Sequence, residues 1–177
     1  MKTDKIISEE YSAILLQYHN NRDDWGSSAN VNDFTRDAIL EYNPNSILDF
    51  GCGKGLISKI FKKLYPEKNI ISFDPAFHSE DFLPEKVDMV YSKDVLEHVE
   101  PDYIDFVLQK HYNMMNKLCY HSISTRKAGA ILPDGRNAHL IVQPAQWWRE
   151  KFKNIGYKIE DERVNLKKHG YQVILTK

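Results

Sequence analysis

Apolar positions in this chain recur with two periods, and the switch between them marks out the elements. A short run, Ile47, Leu48 and Phe50, stops at Gly51, Gly53 and Gly55, and a helical pattern with apolar residues at 56/57, 60/61 and 64 begins at once. Strand, glycine turn and helix in that order open a doubly wound α/β sheet. A second apolar run, Ile70 to Phe73, ends in Asp74, and a third, Val87 to Ser92, runs into Lys93-Asp94. Pro101 then predicts a helix with Asp102 and Asp105 in its first turn and Ile104, Val107, Leu108, Met115 and Leu118 on one face. Cys119 to Thr125 reads as a strand. Pro144 starts a helix bearing Trp147, Trp148, Phe152 and Ile155, which Gly156 stops. Tyr157 to Val164 and Tyr171 to Thr176 read as an antiparallel hairpin about residues 165–170.

Ahead of this series, Ile7, Tyr11, Ile14, Leu15 and Tyr18 form one stripe, so residues 6–19 are expected as an amphipathic helix laid on the domain. Residues 20–30 are polar and rich in turn formers, with Trp25-Gly26 at their centre. Asp33 reads as the N-cap of a helix through Phe34, Ala38, Ile39 and Tyr42, ending before Pro44. A chain of 177 residues suits one domain: N-terminal helices over 1–44 and an α/β core over 45–177.

The chemistry concentrates at the glycine turn. Glycines let the backbone approach a ligand closely, and the helix that follows aims free N–H groups at the same crevice. The order Gly51-Cys-Gly53-Lys-Gly55 departs from the dinucleotide fingerprint, and Asp49 stands two places before the first glycine. An acid there would repel a pyrophosphate and suits a ligand carrying an ammonium beside a carboxylate. Nineteen residues after Gly55, Asp74 ends the second strand, where an acid can accept from both hydroxyls of a ribose.

With these residues in place, the chain resembles a class I S-adenosylmethionine-dependent methyltransferase. Ile47-Leu-Asp-Phe-Gly-Cys-Gly-Lys-Gly55 is similar to the family's first motif, Asp74 to its ribose-binding acid, and Val87-Asp-Met-Val-Tyr-Ser-Lys-Asp-Val-Leu-Glu-His-Val99 to the segment after its fourth strand. The resemblance is strong from Ser46 to Pro101, looser beyond, and absent before Ser46. It implies a Rossmann-like sheet with a C-terminal hairpin, and S-adenosyl-L-methionine held by Asp49, Phe50, Gly51, Cys52, Gly53, Asp74, Pro75, Lys93 and Asp94. Segments ahead of the first motif often close over the cofactor in this family, so Trp25 and Gly26 are expected in a lid; a surface loop pinned by one Trp is the alternative. The family also places Glu97-His98 under the cofactor.

One departure is plain. Residues 75–87 are too few for a βαβ crossover, so the edge strand after Asp74 is expected to be shortened or missing. Asp81, or stacking by Phe77 or Phe82, remains for the adenine.

Methyl transfer is an in-line displacement, so holding donor and acceptor together is the main task. The acceptor is expected to be a small molecule methylated on oxygen or nitrogen, and a hydroxyl acceptor must also lose a proton. His139 is the candidate base and Asp94 the second; an ordering hydrogen bond is the other reading of His139. The long connection 126–142 presents Arg126, Lys127 and Arg136, which either form a solvated face or favour an anionic acceptor. Histidine and cysteine spacing suggests no metal site.

Composition narrows the field. The net charge of −1 provides no basic footprint for nucleic acid. Neither an Asn/Asp-Pro-Pro-aromatic tetrapeptide nor a Pro-Cys pair is present, which weakens a nucleic-acid methyltransferase as an alternative. A non-catalytic cofactor-binding subunit is a further alternative. Cys52 and Cys119 form no disulfide framework, no signal peptide opens the sequence, and no apolar run suits a membrane span, so a cytoplasmic protein is expected.

Overall fold

A computed structural model of the chain describes residues 5–21, 30–77 and 83–177. Helix α1 (Glu9–Asn21) and helix α2 (Asp33–Tyr42) precede the sheet. There follow β1 (Ser46–Phe50), α3 (Leu56–Leu64), β2 (Asn69–Phe73), β3 (Val87–Lys93), α4 (Ile104–Met114), β4 (Met115–Ser124), α5 (Ala145–Ile155), β5 (Lys158–Asn165) and β6 (Gly170–Thr176). The strand order is β2-β1-β3-β4-β6-β5. The first four strands are parallel, while β6 joins β4 antiparallel and β5 closes the hairpin. The sheet therefore starts at β2 as the shortened-edge expectation requires: among the described residues between Phe73 and Val87 none is a strand.

Side chains alternate across the strands, and each face carries its own core. Ile47, Met89, Tyr91, Leu118, Tyr120 and Ile174 pack with Phe34, Ala38 and Ile39 of α2 and Ile57 and Phe61 of α3. Leu48, Phe50, Val90, Cys119, Val173 and Leu175 pack on the other face with Val107 and Leu108 of α4 and Trp148 and Phe152 of α5. This alternation turns Asp49, flanked by Leu48 and Phe50, toward the α3 side, where Ser58 meets it.

Two local expectations need correction. Asn32, rather than Asp33, caps α2: its backbone is extended and its carboxamide oxygen accepts the Thr35 N–H at 2.9 Å, leaving Asp33 in the first turn. The helix from Pro101 ends at Met114, and β4 starts at Met115 with no loop between. Met115 and Leu118 are thus buried as strand residues, because the 3.6-residue pattern and the alternating one share those positions.

The predicted stripe of α1 is present, but it does not lie on the sheet. Ile7, Tyr11, Ile14, Leu15 and Tyr18 pack against Leu132, Ala138 and neighbours in the connection 126–142. Among the described residues no helix is long and apolar enough to cross a membrane.

Candidate functional site

The C-terminal ends of β1, β2 and β3 open into one crevice, the place where a doubly wound sheet offers room for a ligand. The turn after β1 is folded onto the end of β2, with the Gly51 and Cys52 N–H groups both donating to the Phe73 carbonyl at 2.8 and 3.1 Å. Gly51 has φ +74°, and a Cβ there would lie 2.5 Å from Val95 Cγ2, so no side chain fits between turn and crevice wall. A cavity of about 290 Å³ results, lined by Asp49, Phe50, Gly51, Cys52, Gly53, Asp74, Pro75, Lys93 and Asp94 together with His98 and Glu100. The first nine of these residues and His98 were expected at the cofactor; Phe77 and Glu97, expected there too, do not line the cavity. Trp25 and Gly26, expected in a lid, lie outside the described residues, as do Asp81 and Phe82.

Asp49 is 3 % exposed. Burial raises its pKa to about 6, reinforced by the nearby Asp74 carboxylate and opposed by hydrogen bonds from Ser58. Ser58 Oγ donates to Asp49 Oδ2 at 2.6 Å, and Ser72 Oγ donates in turn to Ser58 Oγ at 2.8 Å. Asp74 is already engaged: Oδ2 accepts the Gly53 N–H at 2.9 Å, and Oδ1 accepts the Ala76 and Phe77 N–H groups at 3.0 Å each. The acid therefore clamps the glycine turn to the end of β2; both lone pairs of Oδ1 are taken, and Oδ2 keeps one for a hydroxyl.

Sequence reasoning missed the apolar wall opposite. Ile6, Ile7, Tyr11 and Leu15, on or beside α1, line the same cavity. Tyr11 donates its hydroxyl to the His98 carbonyl at 2.9 Å, and Ser8 donates its N–H and Oγ to the two Glu100 oxygens at 2.8 and 2.7 Å. Their amphipathic stripe was the available signal, but nothing in it says which surface it covers.

Lys93 donates to the Asn30 carbonyl at 3.1 Å. Asp94 adopts the left-handed conformation, φ +54°, with its N–H donating to the Ser122 carbonyl. It lines the first cavity and also a second, of about 420 Å³, formed by Ser122, Ser124, Arg126, Lys167, Lys168 and His169. Part of Asp94 reaches solvent, yet protein packed on its cavity side raises its pKa, with Lys93 and His139 opposing. The two lysines come from the β5–β6 turn, some forty residues after Arg126, and sequence alone did not bring them together. Arg136 lines neither cavity: its guanidinium pairs with Asp134 at 2.6 Å and lies over the Tyr11 ring.

His139 lines neither cavity directly. Its Nδ1 bonds the Arg126 carbonyl at 2.6 Å, and its ring stands edge-on to His98, with 4.8 Å between centroids. His98 Nδ1 bonds the Ala138 carbonyl at 2.7 Å. Glu97, fully buried, accepts the Ser124 N–H on Oε1 at 2.7 Å, while Oε2 has no hydrogen-bond partner. Burial, and next the Asp94 charge, raise its pKa to about 8. His111 and His121 are buried in the core, stacked on each other, with His111 edge-on to Phe50 and His121 stacked on Phe152; neither lines a cavity.

Comparison with known proteins agrees with this geometry. A family profile described as "Methyltransferase domain" matches residues 28–169. No curated protein matches the chain. Among solved structures, the Burkholderia thailandensis 1,6-didemethyltoxoflavin-N1-methyltransferase, crystallised with 1,6-didemethyltoxoflavin and S-adenosylhomocysteine, superposes with a TM-score of 0.66 at 18% identity over 95% of this chain and 90% of that one. A mitomycin 7-O-methyltransferase superposes at 0.60 with 9% identity, over 96% of this chain and 69% of its own. The Planctomyces limnophilus O-methyltransferase family 2 protein, in complex with apigenin, gives 0.53 and 13% identity over 75% of this chain, which spans about half (49%) of that protein. At these identities the likeness is one of fold. With four-fifths of its length inside the matched domain and its glycine turn, strand-end acids and crevice where the fold requires them, this chain belongs to the methyltransferase-domain family and has the class I S-adenosylmethionine-dependent methyltransferase fold.

Proposed function

We propose that the chain transfers the methyl group of S-adenosyl-L-methionine to a hydroxyl oxygen of a small anionic molecule. The observation that carries this reading is the meeting of two cavities at Asp94. One has the glycine turn, Asp49 for an ammonium and Asp74 for a ribose; the other is walled by Arg126, Lys167 and Lys168. The donor's sulfonium lies in the first, the acceptor's anionic group sits among the three cations, and the reacting atoms meet at the shared boundary. Holding them in line is the largest contribution available, roughly 7–11 kcal/mol. The hydroxyl proton leaves toward Asp94 and His139, a step worth about 10²–10⁴-fold. Because the site draws on residues from 1–44 and from 45–177 alike, it also supports reading 1–177 as one domain. Both cysteines are free and buried, which suits a reducing cytoplasm.

The test pairs calorimetry with turnover. S-adenosylhomocysteine should bind, and Asp74→Asn, which keeps one carbonyl for the turn but loses the charge, should weaken it about tenfold or more. In an acceptor screen, carboxylated or phosphorylated phenols should turn over where neutral ones do not, and Lys167→Ala with Lys168→Ala should raise KM for them. Absence of any S-adenosylhomocysteine binding ends the whole reading. A preference for neutral acceptors, unmoved by the lysine changes, ends the anionic part.

A further inference from the structure

Three side chains that the chain order keeps apart converge beside Asp94. Glu97 and His98 follow β3, and His139 comes from the connection 126–142; one potential ligand atom from each lies within 4.8 Å of the others. Each imidazole has its Nδ1 against a main-chain carbonyl, Ala138 for His98 and Arg126 for His139. A carbonyl can only accept, so both rings carry their proton on Nδ1, and Nε2 is the lone-pair nitrogen. Fixing the tautomer through an outer hydrogen bond is how proteins prepare imidazoles to ligate. The third member supplies an independent sign: Glu97 is 0 % exposed, and its Oε2 is buried without a hydrogen-bond partner. A buried carboxyl oxygen left unpaired is costly until a proton or a cation meets it.

We propose that Glu97, His98 and His139 bind a divalent transition-metal cation whose open coordination position takes the acceptor's hydroxyl. Two imidazole nitrogens and one carboxylate oxygen form the donor set of open zinc, manganese, iron and cobalt sites, rather than the all-oxygen set of calcium or magnesium. Ligands about 2.1 Å from a tetrahedral metal lie about 3.4 Å from each other, so the cluster closes by little more than 1 Å on loading. The Asp94 carboxylate, which acts electrostatically on both Glu97 and His139, adds a second negative charge on the open side. The position suits the chemistry, since His98 and Asp94 line the donor cavity and Asp94 also lines the cationic one.

The inference rests on the methyl-transfer reading and changes the part played by His139 from proton acceptor to ligand. The cation lowers the pKa of the ligated hydroxyl, and its proton passes to solvent. An oxygen lone pair forms the new bond to the methyl carbon. The carbon–sulfur pair returns to sulfur as neutral S-adenosylhomocysteine, and the cation is unchanged.

Titration of the chelator-stripped full-length chain with cobalt(II) chloride, followed by visible absorption and calorimetry, tests it. One equivalent should bind with ligand-field bands of nitrogen–oxygen coordination. His139→Ala, at a half-exposed position, should weaken cobalt by more than about 100-fold, beyond the 10–100-fold expected from a lost outer partner. Its affinity for S-adenosylhomocysteine should stay within about threefold, which also shows that the variant folds. Wild-type chain that binds S-adenosylhomocysteine but neither cobalt, manganese nor zinc overturns the metal site alone; chain that binds no S-adenosylhomocysteine overturns the function beneath it. Cobalt binding retained by both His139→Ala and His98→Ala places the ion elsewhere and overturns the assignment.

Discussion

Asp49 shows how much depends on one carboxyl. It stands one residue before the end of the first strand, on the α3 face, and burial holds its pKa at about 6, well above the ordinary carboxylate value. An acid raised in this way is largely protonated below pH 6 in the free protein and attracts no ammonium there. Affinity for S-adenosylhomocysteine should therefore be flat above pH 6 and fall roughly tenfold per pH unit below it, as the ligand must displace a proton. Calorimetry between about pH 4.5 and 8 measures this. Asp49→Asn should bind weakly with no such slope, and a slope that survived the change would show the ammonium contacts another group. The residue's place in the cavity wall was legible because the signal is local: an acid, a strand end and a glycine turn are adjacent in the chain. Of the two readings open for Arg136, its ion pair with Asp134, two residues before it, favours the solvated face.

Helix α1 is the element whose existence was plain and whose purpose was not. Its apolar stripe demands a partner, and the 126–142 connection supplies one, so two segments without a place in the sheet bury each other across the mouth of the crevice. The clamp between Ser8 and Glu100 holds the start of this arrangement. Glu100→Ala removes two partly buried charge-assisted hydrogen bonds, about 1.5–3 kcal/mol each before water compensates. Amide exchange in residues 6–15 should quicken and S-adenosylhomocysteine affinity drop severalfold, while the core strands keep their protection. Exchange in α1 unchanged by the substitution would show the clamp is not what holds the helix over the cavity. The α4–β4 junction shows the limit of periodicity, since Met115 and Leu118 satisfy both the helical and the alternating pattern, and only the pairing of β4 with β3 and β6 decides between them.

Across the molecule, acid sensitivity follows from where the histidines lie. Burial, with a lesser contribution from Lys110, holds His111 down to about 3, and burial and then His111 hold His121 well below its ordinary value. Unfolded, each would take up a proton below pH 6.5; folded, His111 does so only near pH 3. The unfolded state thus binds more protons in this window, and stability falls as pH falls, by up to about 1.4 kcal/mol per pH unit for each ring. Asp49 and Glu97, both raised by burial, slope the other way, so total stability conceals the effect. Urea unfolding of wild type and His111→Phe across this range isolates it. The stability difference should move against the wild type by about 1.4 kcal/mol for each unit of acidification. A difference independent of pH would mean His111 titrates alike folded and unfolded.

The amino-acid order by itself determined the elements, the glycine turn and the strand-end acids that line the first cavity, and the shortened or missing edge after Asp74. Each of those is written within one strand–turn unit, where covalent connection fixes distance. Only the tertiary structure decided that α1 walls the cavity, that Lys167 and Lys168 join Arg126, and that His139 stands against His98 and Glu97. Those contacts join segments tens of residues apart, and chain spacing carries no information about distance once the intervening sheet and helices have folded it back.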